Sequence, residues 1–333
     1  MANQIKDTDY LFLSTRVHVL QRALLTQERM DRMLEAPTNA EAAKVLVECG
    51  YPEMPVVDVD SINAALAAVR DSLYRDLNNN APDPKLIDVF KLKYDYHNAK
   101  TLLKAEAMKT DPARLLVEAG RFPSAVVAES LTNGNFSALT APFAAAIREA
   151  REILSTTHNP QLSDFALDRA YFAEMLQLAK DTGSDFLVGY VQMMIDVANL
   201  RSLVRVLRMG KNEDYLKNVL FDGGTVAVRP LLNAAASGGE FGAIYGVTPL
   251  AGAAEAGEAA IKGGSLTAFE KACDNAVMDY VSAAKYVSFG EAPVVGYLVA
   301  RDNEFTAVRI IMTGRLAGLS TDLIRERLRE AYV

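Results

Sequence analysis

Residues 94–104 read YDYHNAKTLLK, and the pattern in this run returns twice along the chain. The second copy reads DVANLRSLVR from Asp196, and the third reads EFTAVRIIMT from Glu304. Every copy has an acidic residue that is followed five positions later by a base, and the first two also have an asparagine three positions after the acid. The repeated polar residues are Asp95, Asn98 and Lys100, then Asp196, Asn199 and Arg201, then Glu304 and Arg309, with Ala307 in place of a third asparagine.

Apolar residues recur one, four and eight positions after each acid. They are Tyr96, Ala99 and Leu103 in the first copy, Val197, Leu200 and Val204 in the second, and Phe305, Val308 and Met312 in the third. These offsets fall on one face of a helix and not on one face of a strand. At about 100° per residue the acid lies inside this apolar stripe, and the base lies at about 140°, beyond its edge. The pattern therefore predicts three similar helices, each with an acid on its buried face.

A carboxylate within an apolar stripe is expected to be buried, and a buried charge is tolerated only when it is paired. The base of the same copy is badly placed for this pairing, because neighbours on a helix are three or four residues apart. We therefore expect the partner of each acid to come from another helix, and the equivalent base of an adjacent unit is a candidate. This hypothesis makes the eight polar residues a structural set that joins neighbouring units.

The three acids are 101 and 108 residues apart in the sequence. Such a period is too long for a short-repeat solenoid and indicates three domain-like units of about 100 residues each. The predicted organisation is an N-terminal helix over residues 1–26, followed by helical units over residues 27–122, 123–225 and 226–333. No strand alternation is sustained anywhere, so the sequence predicts an all-α protein.

Local signals predict where individual helices begin and end. The third copy predicts a long helix through Glu304 that stops at Gly314, since glycine is common at helix ends. Asn39 is the predicted N-cap of a helix over residues 40–47. The segment 223–264 is rich in glycine and alanine, and its helix layout stays open.

The composition argues against several classes of protein. The chain has 333 residues, 50% hydrophobic and 23% charged, which is typical of a globular sequence that can form more than one core. A net charge of −7 without a Lys/Arg cluster argues against a nucleic-acid partner. The chain contains no long apolar run, so no direct transmembrane insertion is expected. Residues 1–9 are polar and lack the apolar core of a signal peptide, so no signal peptide is expected.

Catalysis is one alternative to a structural role for the repeated polar residues, because carboxylates and a base can perform acid–base chemistry. Three copies at similar spacing are unlike a single active site, so the structural interpretation is favoured. Asp164 and Asp168 have a spacing that could bind a divalent ion on a helix, but a third acidic cluster is missing. The histidines lie outside any zinc-binding frame, and no phosphate-binding loop occurs. We predict no catalytic residue, no metal site and no cofactor.

Three segments, in this order, resemble one known family. They are FKLKYDYHNAKTLLKA over residues 90–105, the run over residues 196–203, and FGEAPVVGYLVARDNEFTAVRIIMTGRLAGL over residues 289–319. The family is that of the C subunits of V/A-type rotary ATPases and ATP synthases, whose eukaryotic equivalents are the V-ATPase d subunits. The resemblance covers essentially the full chain, and its departures are Ala307 and the Gly/Ala-rich segment.

The resemblance implies an all-α, funnel-like fold of three similar helical units in pseudo-threefold arrangement. It implies a non-catalytic rotor subunit of the central stalk, which forms a socket between the D and F subunits of the central shaft and the membrane rotor ring. Such a subunit transmits torque for proton or sodium transport and is peripheral, on the cytoplasmic face of the membrane. A stand-alone helical scaffold that binds another protein partner is the alternative.

Overall fold

The computed structural model describes residues 5–211, 213–237 and 240–333. Within these residues the backbone forms α-helices and short 3-10 helices and no strand, so the predicted all-α fold is confirmed. The α-helices are α1 (Leu11–Leu20), α2 (Gln27–Glu35), α3 (Asn39–Glu48), α4 (Val59–Asn80), α5 (Pro84–Met108), α6 (Ser124–Asn133), α7 (Ala141–Thr157), α8 (Pro160–Thr182), α9 (Asp185–Arg208), α10 (Glu213–Lys217), α11 (Val228–Ser237), α12 (Gly242–Tyr245), α13 (Ala251–Ile261), α14 (Leu266–Ser282), α15 (Ala292–Leu316) and α16 (Thr321–Arg327).

The start of α3 differs from the prediction by one residue. Thr38, and not Asn39, is the N-cap, because its hydroxyl accepts the backbone N–H of Glu41 at 3.2 Å. Asn39 is the first residue of the helix, and its side-chain oxygen accepts a bond from Arg315 instead. A threonine followed three residues later by a glutamate is the usual start signature, and here it outcompetes the asparagine.

The helices form two compact units. One joins the residues up to Pro82 with those from Glu240 onward, and the other begins at Asp83. We refer to them as the first and the second unit. The three-way division at residues 27, 123 and 226 and the funnel-like pseudo-threefold arrangement stay predictions.

In the second unit α8 is central, since it contacts α5, α7 and α9. Tyr96 of α5 packs against Phe143 of α7 and Tyr171 of α8, with ring centroids 5.0 and 5.6 Å apart. Phe90 of α5 stacks on Tyr190 of α9 at 5.6 Å. Aromatic pairs in this range add to the stability that burial provides. They fix α5 and α9, which carry the first two copies of the repeat, to one core.

In the first unit α15 is central and contacts helices from both ends of the chain, including α1, α2, α3, α4 and α16. The core between them contains Met33 of α2, Leu46 of α3, Ile62 of α4 and Ile311 of α15, each 1% exposed or less. Burying one such side chain is worth about 1.5–3 kcal/mol. This core therefore holds the third copy of the repeat against the N-terminal helices.

The three copies of the repeat form helices of one design. Helices α5, α9 and α15 are 25, 24 and 25 residues long. Asp95, Asp196 and Glu304 each lie near the middle of their helix and are 0%, 2% and 4% exposed. The predicted burial of the three acids is confirmed.

The three helices also end alike. The residue fourteen positions after each acid has a left-handed backbone, namely Lys109 (φ 54°), Gly210 (φ 64°) and Gly318 (φ 70°). The N–H of the following residue then donates to the carbonyl ten positions after the acid, at 3.1, 3.1 and 3.0 Å. This is the Schellman type of helix end, in which a left-handed residue lets the chain satisfy the last carbonyls.

The predicted stop at Gly314 is wrong. Helix α15 continues to Leu316, and the residue that ends it is Gly318. Gly314 faces α16, where an added Cβ would lie 2.8 Å from Cγ1 of Ile324. The glycine is therefore explained by close packing between helices and not by helix termination.

Lys109 offers a test of the shared helix end. A left-handed backbone costs a residue with a Cβ about 1 kcal/mol relative to glycine. We expect Lys109→Gly to raise the free energy of unfolding by about 0.5 kcal/mol, since extra freedom of the unfolded chain offsets part of the gain. The reverse change, Gly210→Lys, should lower the free energy of unfolding. Urea denaturation measures both, and a loss of stability in Lys109→Gly would contradict the assigned geometry.

Candidate functional site

The first acid, Asp95 on α5, holds the loop that precedes α6. Its Oδ1 accepts the backbone N–H groups of Arg121 and Phe122 at 2.9 and 3.3 Å. Its Oδ2 accepts Nε of Arg121 at 2.6 Å. A fully buried carboxylate thus receives backbone donors and a charged donor, which compensates for its loss of water.

Arg121 also joins this loop to α8. Its Nη1 donates to Oε1 of Glu174 at 2.8 Å, and the Tyr96 hydroxyl donates to Oε2 of the same carboxylate at 2.8 Å. The side chains of Arg121 and Glu174 are 7% and 6% exposed. Burial lowers the pKa of the Arg121 guanidinium, but Glu174 and Asp95 outweigh burial and raise that pKa. The guanidinium therefore stays charged between two buried carboxylates.

The second acid, Asp196 on α9, holds the loop that precedes α11. Its Oδ2 accepts the backbone N–H of Thr225 at 2.9 Å and the hydroxyl of the same residue at 2.5 Å. Its Oδ1 accepts the N–H of Val226 at 3.1 Å. Two consecutive backbone N–H groups are thus bound in both copies, and Thr225 replaces Arg121 as the side-chain donor. The pair of backbone contacts repeats although the loop sequence does not, with both N–H groups on one oxygen of Asp95 and one on each oxygen of Asp196.

A glycine precedes the bound N–H groups in both copies. A Cβ on Gly120 would overlap Oδ1 of Asp95, and a Cβ on Gly224 would overlap Oδ1 of Asp196. Neither glycine has a positive φ. The close approach of the carboxylate, and not an unusual backbone conformation, therefore requires glycine at both positions.

The third acid, Glu304 on α15, holds the segment that precedes α2. Its Oε2 accepts the backbone N–H of Leu25, 279 residues earlier in the chain, at 2.7 Å. Its Oε1 accepts the hydroxyl of Tyr51 at 2.7 Å and Nη1 of Arg301 at 2.5 Å. Burial and the neighbouring Glu304 raise the pKa of Tyr51, so its hydroxyl keeps the proton that it donates. The last copy of the repeat thereby binds a segment near the start of the chain.

The three acids share one role. Asp95 holds the residues before α6, Asp196 those before α11, and Glu304 those before α2. These segments lie next to the predicted boundaries at residues 123, 226 and 27. Each acid thus holds the segment that leads into the next predicted unit in the sequence, and the third acid holds the segment that leads into the first. We name these three contacts the acid–loop sites.

The two repeated asparagines bind the same loops from a second point. The Asn98 amide donates Nδ2 to the carbonyl of Val117 at 2.8 Å and accepts the N–H of Val117 at 2.9 Å. Asn199 makes the same pair of bonds with Phe221, both at 2.8 Å. An amide side chain suits this task because it carries one donor and one acceptor side by side.

Replacing the asparagine with alanine should lower the free energy of unfolding more in the second copy than in the first. Phe221 is buried, so Asn199→Ala leaves its N–H and carbonyl without partners, and we expect a loss of about 2 kcal/mol in the free energy of unfolding. Val117 is only half-buried, so water can replace the amide in Asn98→Ala and the loss should be smaller. Urea denaturation of both variants measures the difference. Equal losses in the two variants would show that the burial of Phe221 and Val117 does not determine the loss of stability.

The repeated bases do not have the role that the sequence suggested. The cation beside Asp95 is Arg121, and the one beside Glu304 is Arg301, so pairing of these acids with an equivalent base of another unit is a wrong prediction.

Each repeated base has its own surroundings. Nζ of Lys100 is 2.5 Å from Asp168, Arg309 donates to Asn63 at 3.3 Å, and Arg201 is half-buried on α9. A joint role of the eight residues in joining units stays a prediction.

Five side chains of the acid–loop sites lie outside the repeated pattern: Arg121, Glu174, Thr225, Tyr51 and Arg301. Arg301 precedes Glu304 by three residues on one helix, a spacing that predicts contact and could have been used. The loop residues Arg121 and Tyr51 carry no periodic signal, and Glu174 lies 78 residues after the Tyr96 that it binds. Nothing in the sequence pattern indicates these pairings.

The acids that could have held a metal ion are bound to lysines. Asp164 lies 2.6 Å from Nζ of Lys104, and Asp168 pairs with Lys100. Over the described ranges, no group of three or more His, Cys, Asp or Glu side chains is arranged to hold a metal ion. No helix in the described part of the chain has the length and hydropathy needed to cross a membrane.

Comparison with known proteins gives one consistent family. A family model described as ATP synthase (C/AC39) subunit matches residues 13–327. The C subunit of the V-type sodium ATPase of Enterococcus hirae is 21% identical, over 97% of this chain and 99% of its own length. The C subunits of the A-type ATP synthases of Methanocaldococcus jannaschii and Haloferax volcanii are 24% and 26% identical, over 96% and 95% of this chain and 86% and 96% of theirs. The family match spans nearly the whole sequence, and the chain therefore belongs to the ATP synthase (C/AC39) subunit family.

Proposed function

We propose that the protein is a central-stalk rotor subunit of a V/A-type ATPase or ATP synthase. In this role it is a socket that links the D and F subunits of the shaft to the membrane ring of ion-carrying subunits, and it transmits torque between them. The observation that carries the proposal is the family match over residues 13–327, which includes all three acid–loop sites.

The packing supports a part that transmits force. A torque-transmitting protein must deform little between its points of contact, and densely packed helices have low compressibility. Loops are ordinarily the softest parts of a helical protein. Here the segments before α2, α6 and α11 are each bound by a carboxylate from the middle of a long helix. Such bonds limit loop motion where the predicted units join.

We propose a non-catalytic role, with the protein peripheral on the cytoplasmic face of the membrane. The repeated acids and asparagines, which would be the candidate catalytic groups, are bound to the protein's own loops. ATP hydrolysis and ion binding then belong to other subunits, and the transported ion, H⁺ or Na⁺, is set by the ring.

Affinity purification from detergent-solubilised membranes tests this proposal. The tagged full-length chain is expected to recover the shaft subunits, the ring and the ATP-hydrolysing head together, as identified by mass spectrometry. Cells with the untagged chain serve as the control. Recovery of the chain without any other part of a rotary ATPase would contradict the proposal and favour a stand-alone scaffold. Saturable ATP hydrolysis by the purified chain alone would contradict the non-catalytic role.

A further inference from the structure

The end of α6 carries the one asparagine in the chain that directly precedes a glycine. Asn133 is the last residue of α6, and Gly134 follows it with a left-handed backbone (φ 67°). Every other asparagine is followed by a residue with a side chain. Glycine has no Cβ to obstruct the approach of its backbone nitrogen to the preceding side chain. The side-chain amide of Asn133 is therefore open to attack from its own backbone.

The fold leaves both reacting groups without a partner. Asn133 and Gly134 are exposed, and neither the side chain of Asn133 nor the N–H of Gly134 forms a hydrogen bond with a described residue. The ends of α5 and α7 differ, because their cap residues Lys109 and His158 donate the N–H to a carbonyl of the helix. A helix end without this bond frays readily. The peptide between Asn133 and Gly134 is thus free to rotate toward the side-chain amide.

Water reaches the loop between α6 and α7. Gly134 lines an open cavity of about 420 Å³ in this loop, and Asn135, Ser137 and Arg148 contribute polar groups to the same lining. A cavity that is open to solvent and partly polar is hydrated. The water that a hydrolytic step requires is therefore available beside this peptide.

We propose that Asn133 is a site of spontaneous deamidation. The backbone nitrogen of Gly134 attacks Cγ of Asn133, the new N–Cγ bond forms, and the Cγ–Nδ2 bond breaks. Nδ2 leaves as ammonia with the proton of the former Gly134 N–H. The resulting five-membered imide takes up one water molecule and opens at either carbonyl, which leaves aspartate or isoaspartate. This modification is additional to the rotor function and does not depend on it.

The products change the end of α6. A new carboxylate there lies at the negative end of the helix dipole, which disfavours it. The isoaspartate product also adds one carbon atom to the backbone between α6 and α7. The carbonyl of Leu131, in the same turn of the helix, accepts Nη1 of Arg151 at 3.0 Å. We expect deamidation to weaken this contact between the end of α6 and α7.

Mass spectrometry of the purified full-length chain, aged at mildly alkaline pH, tests the proposal. A protease that cleaves after glutamate releases residues 130–149, which contain both Asn133 and Asn135. We expect Asn133 to lose its amide about tenfold faster than Asn135 or more, since Phe136 carries a Cβ and is buried. No loss at Asn133, or equal rates at the two asparagines, would overturn the proposal.

The same measurement on the chain unfolded in guanidinium chloride isolates the contribution of the fold. Because the fold leaves Asn133 and Gly134 exposed and unbonded, Asn133 should react at a similar rate in the folded and the unfolded chain. A folded chain in which Asn133 reacts about tenfold more slowly than in the unfolded chain would show that α6 protects it and would overturn the assignment.

Gly134→Lys tests the role of the glycine. Lys109 adopts the same left-handed conformation at the end of α5, so a lysine at position 134 is compatible with the fold. Its Cβ should slow the reaction of Asn133 about tenfold, while the rate at Asn135 stays unchanged. An unchanged rate at Asn133 in this variant would contradict attack by the backbone nitrogen of residue 134.

Discussion

Arg121→Met is expected to lower the free energy of unfolding by about 3–5 kcal/mol, because removal of one partner from a buried ion pair leaves an uncompensated charge. Here the loss of unfolding free energy is larger because two carboxylates lose their cation. Asp95 and Glu174 both bind the Arg121 guanidinium, and both are buried. Methionine keeps most of the volume of the side chain, so the loss reports the charge and not a cavity.

The loss should depend on pH in a defined direction. Burial raises the pKa of Asp95, although the bonds from Arg121 oppose this. A carboxyl whose pKa is higher in the folded state stabilises the fold below its unfolded pKa, about 3.9, and that stability is lost as the pH rises through the folded value. Without the guanidinium this rise in pKa becomes larger. The deficit of Arg121→Met should therefore be greatest near neutral pH and shrink towards pH 4, roughly the unfolded pKa.

Lys104→Met is the matched control for Arg121→Met. Lys104 pairs with Asp164 in the same unit, but the two side chains are 40% and 26% exposed. Partly exposed pairs are worth about 0–1 kcal/mol, so this variant should lose little at any pH. Urea denaturation at several pH values compares the two variants. Similar losses in both, or a deficit of Arg121→Met that does not change with pH, would count against the buried network.

Gly224→Val should lower the free energy of unfolding by about 3 kcal/mol, because the new side chain overlaps the carboxylate of Asp196 and forces the loop away. Loss of the bonds from Thr225 and Val226 then leaves the buried carboxylate without its donors. The backbone at Gly224 is not left-handed, so the effect is steric and not conformational. Gly120→Val should have a similar effect through Asp95.

Gly252→Val separates this steric effect from the general cost of replacing glycine. Gly252 is exposed on α13, and a Cβ there would meet nothing within 4 Å. Valine and glycine have similar, low helix propensities, so the change should be within about 0.5 kcal/mol of neutral. A stability of Gly224→Val close to that of Gly252→Val would show that the carboxylate does not approach the glycine as the structure describes.

The helical repeat and the burial of its acids could be predicted from the sequence, because both follow from local spacing. Tyr96, Ala99 and Leu103 define a face, and Asp95 lies on it. The confirmed all-α class rests on the same periodicity. The end of α15 follows the same spacing, since the glycine that ends it is Gly318, fourteen residues after its acid, and not the predicted Gly314.

The partners of the acids could not be predicted in the same way. Periodicity shows which face of a helix is buried but not which loop reaches that face. Arg121 and Thr225 have different side chains, yet the backbone N–H of each donates to the buried acid of its copy. Backbone donors leave no mark in a sequence, apart from the glycine that makes room for the carboxylate. In both loops a glycine comes directly before the first bound N–H group, and this shared glycine is the sequence signal that could have indicated the two sites.

Amide hydrogen exchange at Leu25, Arg121 and Thr225, followed residue by residue by NMR, tests the acid–loop sites most directly. If each acid holds the segment before the next unit, these three loop amides should exchange as slowly as amides in the middle of α5, α9 and α15. Val247, which is 96% exposed, provides the reference for a free loop. Exchange at the three amides as fast as at Val247 would contradict the account.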